Sequence, residues 1–417
     1  MLVTRILTFT SRRALAPLIL ASLALTSLAD TTIADVQADA PKYFLFDAQG
    51  LTKVKQQLAA GDEHLEAVLQ DVAKRADHYL TVQPVSVTDK PMLPPSGAKH
   101  DYMSMSPYWW PNPDTIDGKP YLRRDGEYNP ERANYDVPKL DIVTKAVRFL
   151  ALAYYYTDDE RYAEHAAKHL RHFFIEPKTR MNPNLQFGQF VPGVAENGRK
   201  SGIIETIRMR FMVDAITMLQ KSEYWTDQDH QAMQQWFCDY ALWLRTSEHG
   251  TAESKSENNH GSWHAQQVVL YSLFAGDEAA ALNVIKQIPA RIDSQFEPDG
   301  SQPLENARTR SLHYCDFNNR ALMDIARMAQ PLGVDLWSYE SPDGRGLRRS
   351  IDFMTPYMTR EKAWPHKQID APHYEWIAQT FRWAGIGFNE PAYEAMIEKL
   401  PDGLEENSWI DLVVPAP

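Results

Sequence analysis

The chain has 417 residues, a net charge of -12 and no basic run, which argues against nucleic acid as a partner and means that any anionic ligand needs a local basic site. Its two cysteines, Cys238 and Cys315, exclude a disulfide scaffold and a cysteine-rich zinc site and read as free thiols. With 11 Trp, 19 Tyr and 16 Phe there is ample core for one large domain, and some aromatic surface to spare for sugar rings.

In chain order, residues 1–29 read first as a signal peptide. Arg5, Arg12 and Arg13 make a basic start, the apolar run that follows is short for a membrane span, and Ser27-Leu28-Ala29 is a small-x-small cleavage pattern. The expectation is a periplasmic or secreted protein with no stable membrane anchoring after cleavage, its mature part, 30–417, a single domain. Next comes a long stretch, residues 83–137, rich in Pro, Gly and aromatics such as Tyr108, Trp109 and Trp110. So long a loop inside a domain is functional or disordered, and this composition argues against disorder. We read it as a wall or lid over a cleft.

Helical periodicity then dominates. Leu140–Thr157, 158–175, 204–220, 227–246, 262–276, 277–296, 311–330, 348–359, 374–385 and 391–400 carry apolar residues at helical spacing, with Gly and Pro between them rather than inside. Acidic starts such as Thr157-Asp158-Asp159-Glu160 and Thr226-Asp227 suit N-caps. Short connections imply antiparallel helix hairpins side by side. No strict period marks a solenoid. The expected fold is all-α, an α/α toroid or incomplete α/α barrel with a cleft at one end.

Four clusters could carry chemistry: Asn258-Asn259-His260 with Trp263 and His264; Arg308, Arg310, His313 and Tyr314; the aromatic stretch that ends in Arg123 and Arg124; and Gln189 with Arg199 and Lys200 ahead of a helix. His260 and His264 have the spacing of two zinc ligands, but HGSWH lacks the glutamate of the protease motif and no third ligand stands out. The reading therefore expects no metal and no cofactor. Asn258 or Asn259 could simply be an N-cap. Glu257, Glu305, Asp125 and Glu205 are available to a glycosidase, yet none is singled out. Asn, His, Arg and Tyr together suit proton abstraction beside a carboxylate. Amide, imidazole and guanidinium groups stabilise the charge that builds on the carboxyl oxygens, while a tyrosine moves the proton.

NNHGSW resembles the NNH-x-x-W signature of the poly(mannuronate) lyases of polysaccharide lyase family five, and ARTRSLHY resembles their Arg-rich stretch ending in Leu-His-Tyr. MSPYWWPNPD with GKPYLRRDGEYNPE looks closer to the related family thirty-eight. The resemblance spans about Asp101 to Arg320. It implies an α/α toroid and metal-independent β-elimination on an anionic polysaccharide, with Asn259 and His260 as neutralising groups and Tyr314 as the catalytic tyrosine. His260 as base for the opposite C5 epimer stays open. Arg308 is favoured over Arg310 as the carboxylate clamp, although the spacing to the tyrosine is one residue shorter than in the family. Tyr108, Trp109, Trp110, Arg123, Arg124, Gln189, Arg199, Lys200, Trp263, His264 and Arg310 are expected to bind substrate. A glycoside hydrolase on the same toroid and a non-catalytic binding protein are the competing classes.

Overall fold

Carboxylate and hydroxyl caps start several of the long helices, as the sequence suggested. The computed structural model describes residues 42–401 and 408–416, all within one unit, Pro41–Pro417; the expected signal peptide lies outside them. Helices α1 (Ala48–Ala59) and α2 (Glu63–Thr81) are capped by Asp47 and Asp62. After the long loop, α3 (Val137–Thr157) ends at left-handed Asp158, and Asp159 caps α4 (Glu160–Leu170). Then come α5 (Arg210–Met218), α6 (Asp227–Thr246, with a Thr226/Asp229 capping box), α7 (Glu248–Ser254), α8 (Asn259–Phe274), α9 (Glu278–Ile285) and α10 (Ile288–Gln295). The series continues with α11 (Ser311–Ala329), α12 (Leu347–Met358) and α13 (Tyr374–Gly387).

Three expected helices differ. Residues 277–296 form two helices, because Pro289 offers no N–H and its ring clashes with the preceding turn. The first six residues of 204–220 belong to a tighter 3-10 stretch, Lys200–Met209, where Gly202 lies against the Gly188 backbone. Residues 391–400 hold only two short turns.

Helices α3, α5, α8, α11 and α13 follow one another as the inner row, with α4, α6, α9 and α12 packed outside. The inner position explains the composition of α8, in which every residue except His260 is buried. A helix buried all round cannot be amphipathic, so its polar groups find partners inside. Gln267 Oε1 accepts from Thr206 Oγ1, and Ser262 Oγ donates to Gln295 Oε1 at 3.0 Å. The architecture is the all-α, incomplete α/α toroid expected from the sequence. Among the described residues no helix is long and apolar enough to cross a membrane.

The 83–137 stretch is ordered by short strands. Strand β1 (Met103–Met105) pairs in parallel with β4 (Phe187–Phe190), while β2 (Trp109–Trp110) and β3 (Leu122–Arg123) form a small antiparallel hairpin. Lys90 and Asp136 clamp the stretch near both ends. Both are buried, and Lys90 Nζ lies 3.0 Å from Asp136 Oδ2, which also accepts from the Met103 N–H at 2.9 Å. Burial pushes the lysine down and the aspartic acid up from their usual ranges, and each charge opposes the other's shift. Asp136→Ala leaves a buried ammonium without its counter-charge and should cost about 3–5 kcal/mol. Denaturant unfolding measures this, and a loss under about 1 kcal/mol would remove the clamp.

Candidate active site

A cavity of about 570 Å³ opens among the inner helices, with the 83–137 stretch as one wall. Nine Arg and Lys side chains line it against two acidic residues, Asp141 and Glu205. Burial pushes the Glu205 carboxyl up, and the Arg208 charge opposes the rise. This is the local basic site that an anionic ligand needs in a chain of net charge -12.

The α8 N-terminus supplies His260, whose Nδ1 lies 2.6 Å from Glu253 Oε1. Glu253 is buried, accepts from Ser256 Oγ at 3.0 Å and has Lys200 Nζ at 3.7 Å. Burial alone would raise its pKa, but the hydrogen bond and charge of His260 hold it below the usual range. An ionised carboxylate on Nδ1 fixes the ring's orientation and leaves Nε2 as the free nitrogen. Glu253 was not foreseen. It lies seven positions before His260, outside any motif, and only the turn after α7 brings it round.

Asn258 is the N-cap of α8, its side chain accepting from the His260 N–H at 3.2 Å, and it lines the cavity. Asn259 does not. It is fully buried, and its backbone N–H and Nδ2 donate to the two oxygens of Glu305 at 2.7 and 2.8 Å. The anion at this helix start is thus the chain's own carboxylate. Burial raises the pKa of Glu305 against the pull of those two bonds.

On the facing side, Arg308 and Tyr314 form one unit. The Arg308 guanidinium sits 3.8 Å from the centre of the Tyr314 ring, and its Nη2 donates to Asp125 Oδ1 at 3.0 Å. Asp125 would be raised by burial, but the Arg308 hydrogen bond and charge hold it at about 2. The Tyr314 hydroxyl is 2.9 Å from that of Tyr108. Burial raises the pKa of Tyr314, and the Arg308 charge opposes the rise. The spacing argument left Arg308 and Arg310 nearly level; the geometry separates them. Arg310 turns behind the wall, donating to the Gly126 carbonyl at 2.8 Å and pairing with Asp370 at 3.2 Å, and does not line the cavity.

Tyr108, Trp109, Arg123, Gln189 and Arg199, all named for substrate contact, line the same cavity. Gln189 holds a left-handed backbone (φ 51°), costly for a non-glycine residue, which puts a strained position in the wall. Arg199 stacks on Trp109, its guanidinium carbon 5.6 Å from the ring centre.

Other expected contacts are corrected. Trp110 and Arg124 stack on each other away from the cavity, at 5.2 Å. Lys200 bonds to Ser256 Oγ and the Ala252 carbonyl, bracing the turn before α8. Trp263 is fully buried against Phe317. His264 is buried, with Nε2 on the Leu244 carbonyl at 3.0 Å. That partner, with Glu253 on His260, separates the two histidines that could have been zinc ligands. Among the described residues no group of three or more His, Cys, Asp or Glu is placed to hold a metal ion. Cys238 and Cys315 are free thiols, Cys315 buried and Cys238 half-buried.

Of the floor, only His313 stood among the clusters named from the sequence. His313 lies between Phe317 and Trp376, and burial together with the Arg320 charge pushes it down to about 2, so it stays neutral. Arg210 and Arg320 are buried below, tied to Asp324 at 3.4 Å and Asp316 at 3.0 Å.

The alginate lyase family model matches residues 86–364. A crystal structure of an alginate lyase from Bacteroides ovatus is similar over 90% of this chain and 99% of that one, with 36% identity and a TM-score of 0.86. An alginate lyase from Sphingomonas species A1 shares the fold, at 17% identity and a TM-score of 0.52 over 83% of this chain and 95% of that one. No curated protein matches. With two thirds of its length inside the family model and a 36% identical relative along nearly all of it, this chain belongs to the alginate lyase family of polysaccharide lyases.

Proposed function

We propose that the substrate is alginate or a related polyuronate such as β-1,4-glucuronan, cut at the 4-O-glycosidic bond by β-elimination. The observation that carries this reading is the Arg308–Tyr314 unit, facing a basic cavity in an acidic protein. It is supported by the Bacteroides ovatus relative, described as an alginate lyase.

A uronate carboxylate held by Arg308 and His260 gains charge as C5 loses its proton, and both groups stabilise that charge most when it is greatest. Tyr314, as phenolate, takes the C5 proton. The electron pair forms the C4=C5 double bond while the C4–O4 bond breaks, and O4 leaves with the proton returned by the same hydroxyl. Tyr108, hydrogen-bonded to that hydroxyl, holds it in place. Trp109 and Tyr108 supply faces for sugar rings. Arg123 and Arg199 suit the carboxylates of neighbouring residues along the polymer.

Near-ultraviolet absorbance separates the classes. Incubation with mannuronate-rich and guluronate-rich alginate blocks, glucuronan and pectate should give a rising signal from 4,5-unsaturated ends on at least one of the first three. Reducing ends without absorbance would make the protein a hydrolase, and binding without product a sugar-binding protein. We also propose export, from the pattern in residues 1–29; N-terminal sequencing of the mature protein should find the cleavage after Ala29.

Arg310→Ala should keep kcat within about threefold of the wild type, because Arg310 is held by the Gly126 carbonyl and Asp370 behind the wall and does not reach the substrate. A loss as deep as that of Arg308→Ala would reverse the assignment of the clamp.

A further inference from the structure

We propose that the open side of the ring, between α3 and α13, holds a further carboxylate subsite, in which Lys145 receives a uronate of the polymer other than the one being cut. The inference rests on the lyase reading above and extends it along the substrate chain.

The inner row does not close on itself. Helix α3 meets α5 and α13 meets α11, but α3 and α13, its first and last members, do not pack on each other. The C-terminal segment 408–416 bridges them. On the α3 side the Tyr156 hydroxyl donates to the Leu412 carbonyl, and the Arg148 guanidinium lies over the Trp409 ring, 4.5 Å from its centre. On the α13 side Arg382 Nη1 donates to the Val414 carbonyl at 2.7 Å and sits 3.0 Å from Asp411 Oδ1. The Asp47 N–H locks the bridge, donating to the Val413 carbonyl at 2.8 Å. Trp409 and Ile410 are therefore buried, yet both line the active-site cavity. The cavity thus reaches the gap and meets a fixed wall there, with Trp376 and Gln379 of α13 along its other flank.

Helix α3 carries the charge of the gap. Asp141, Lys145 and Arg148 are spaced i, i+4 and i+7, so they share one helical face, and all three line the cavity. Asp141 is already paired with Arg208. Most other cations of the cavity are held by the chain in the same way: Arg123 and Arg308 by Asp125, Arg210 by Asp324, Arg320 by Asp316. Lys145 is different. It is exposed, and among the described residues it makes no ion pair. Its stem can lie on the wall while the ammonium stays in water. An uncommitted cation in the cavity of an acidic protein attracts an anion. A polyuronate supplies one, because every residue carries a carboxylate, and a chain seated at Arg308 brings others along the cavity with it.

The test is charge reversal read against chain length and salt. Lys145→Glu changes an exposed helix position and should melt with the wild type. At low salt, on the polyuronate that the wild type cleaves best, it should raise KM at least about tenfold and leave kcat within about twofold. Lys145→Ala should raise KM about three- to fivefold, the size of one exposed ion pair. Both penalties should shrink as salt is added, since exposed charges are screened. On a ladder of oligomers of the same polymer they should grow with length, because only a chain that reaches the gap gains the contact. Lys74→Glu, exposed on α2 and outside the cavity, makes the same change in net charge and should keep KM within about twofold. A wild-type KM for Lys145→Glu on the polymer at low salt would overturn the inference and leave the lyase reading intact. So would an equal penalty on every oligomer, which puts Lys145 at the bond being cut, or an equal penalty from Lys74→Glu, which reduces the effect to net charge. A wild type that makes no unsaturated product from any polyuronate would overturn both readings.

Discussion

Tyr314→Phe is expected to fold normally and to lose at least about a hundredfold in kcat, the low end for removal of a general acid–base group. Only a hydroxyl is taken away. The ring stays buried and keeps the Arg308 guanidinium above it. The hydroxyl lost is the one that meets Tyr108 at 2.9 Å, so the structural price is one hydrogen bond, about 1 kcal/mol. Stability and turnover should therefore separate cleanly. Tyr108→Phe removes the other half of the same bond and should cost far less activity, since Tyr108 holds the reacting hydroxyl but moves no proton to substrate. Steady-state kinetics with melting temperatures on both variants decide the matter. A Tyr314→Phe enzyme within about tenfold of the wild type would take Tyr314 out of the chemistry.

The fold was legible because its elements repeat a local signal. Outer helices such as α6 show the amphipathic spacing and a capping box at Thr226, and both are readable within a few residues. Tyr314, Arg308 and His260 were legible as types in motifs. What surrounds them was not. Glu305 meets Asn259 across 46 positions and Asp125 meets Arg308 across 183, and no period in a single sequence reports such pairs.

His264 shows the limit of helical spacing in particular. It shares a face with His260, as four residues should, but four residues are also about 6 Å of rise. One turn further along α8 the face has left the cavity and entered the core, where the Leu244 carbonyl takes the imidazole. Trp263 fails for the same reason, being buried on Phe317. Periodicity gives the direction of a side chain around the axis; the depth at which the helix end meets the cavity comes only from the packing of the ring.

Arg308→Ala should change the pH profile as well as the rate. Burial raises the pKa of the Tyr314 hydroxyl, and the Arg308 charge is the largest opposing influence. The sign follows directly. If the phenolate is the base, kcat/KM climbs as pH rises through this pKa, and removing the cation raises the pKa further. The ascending limb of kcat/KM should therefore move to higher pH, and kcat should also fall by about a hundred- to thousandfold through loss of the carboxylate clamp. Arg308→Lys keeps a charge but loses the planar group that stacks on the ring, so it should recover part of the limb and less of the rate. Arg310→Ala should leave the limb in place, because its charge is spent on Asp370 behind the wall. A simple substrate anchor behaves differently: losing it raises KM with kcat nearly unchanged and leaves the profile where it was. Profiles of kcat/KM for the wild type and these three variants, on one polyuronate, distinguish the two. An Arg308→Ala enzyme with an unmoved limb and an intact kcat would reduce Arg308 to that anchor and separate its stacking on Tyr314 from the proton transfer.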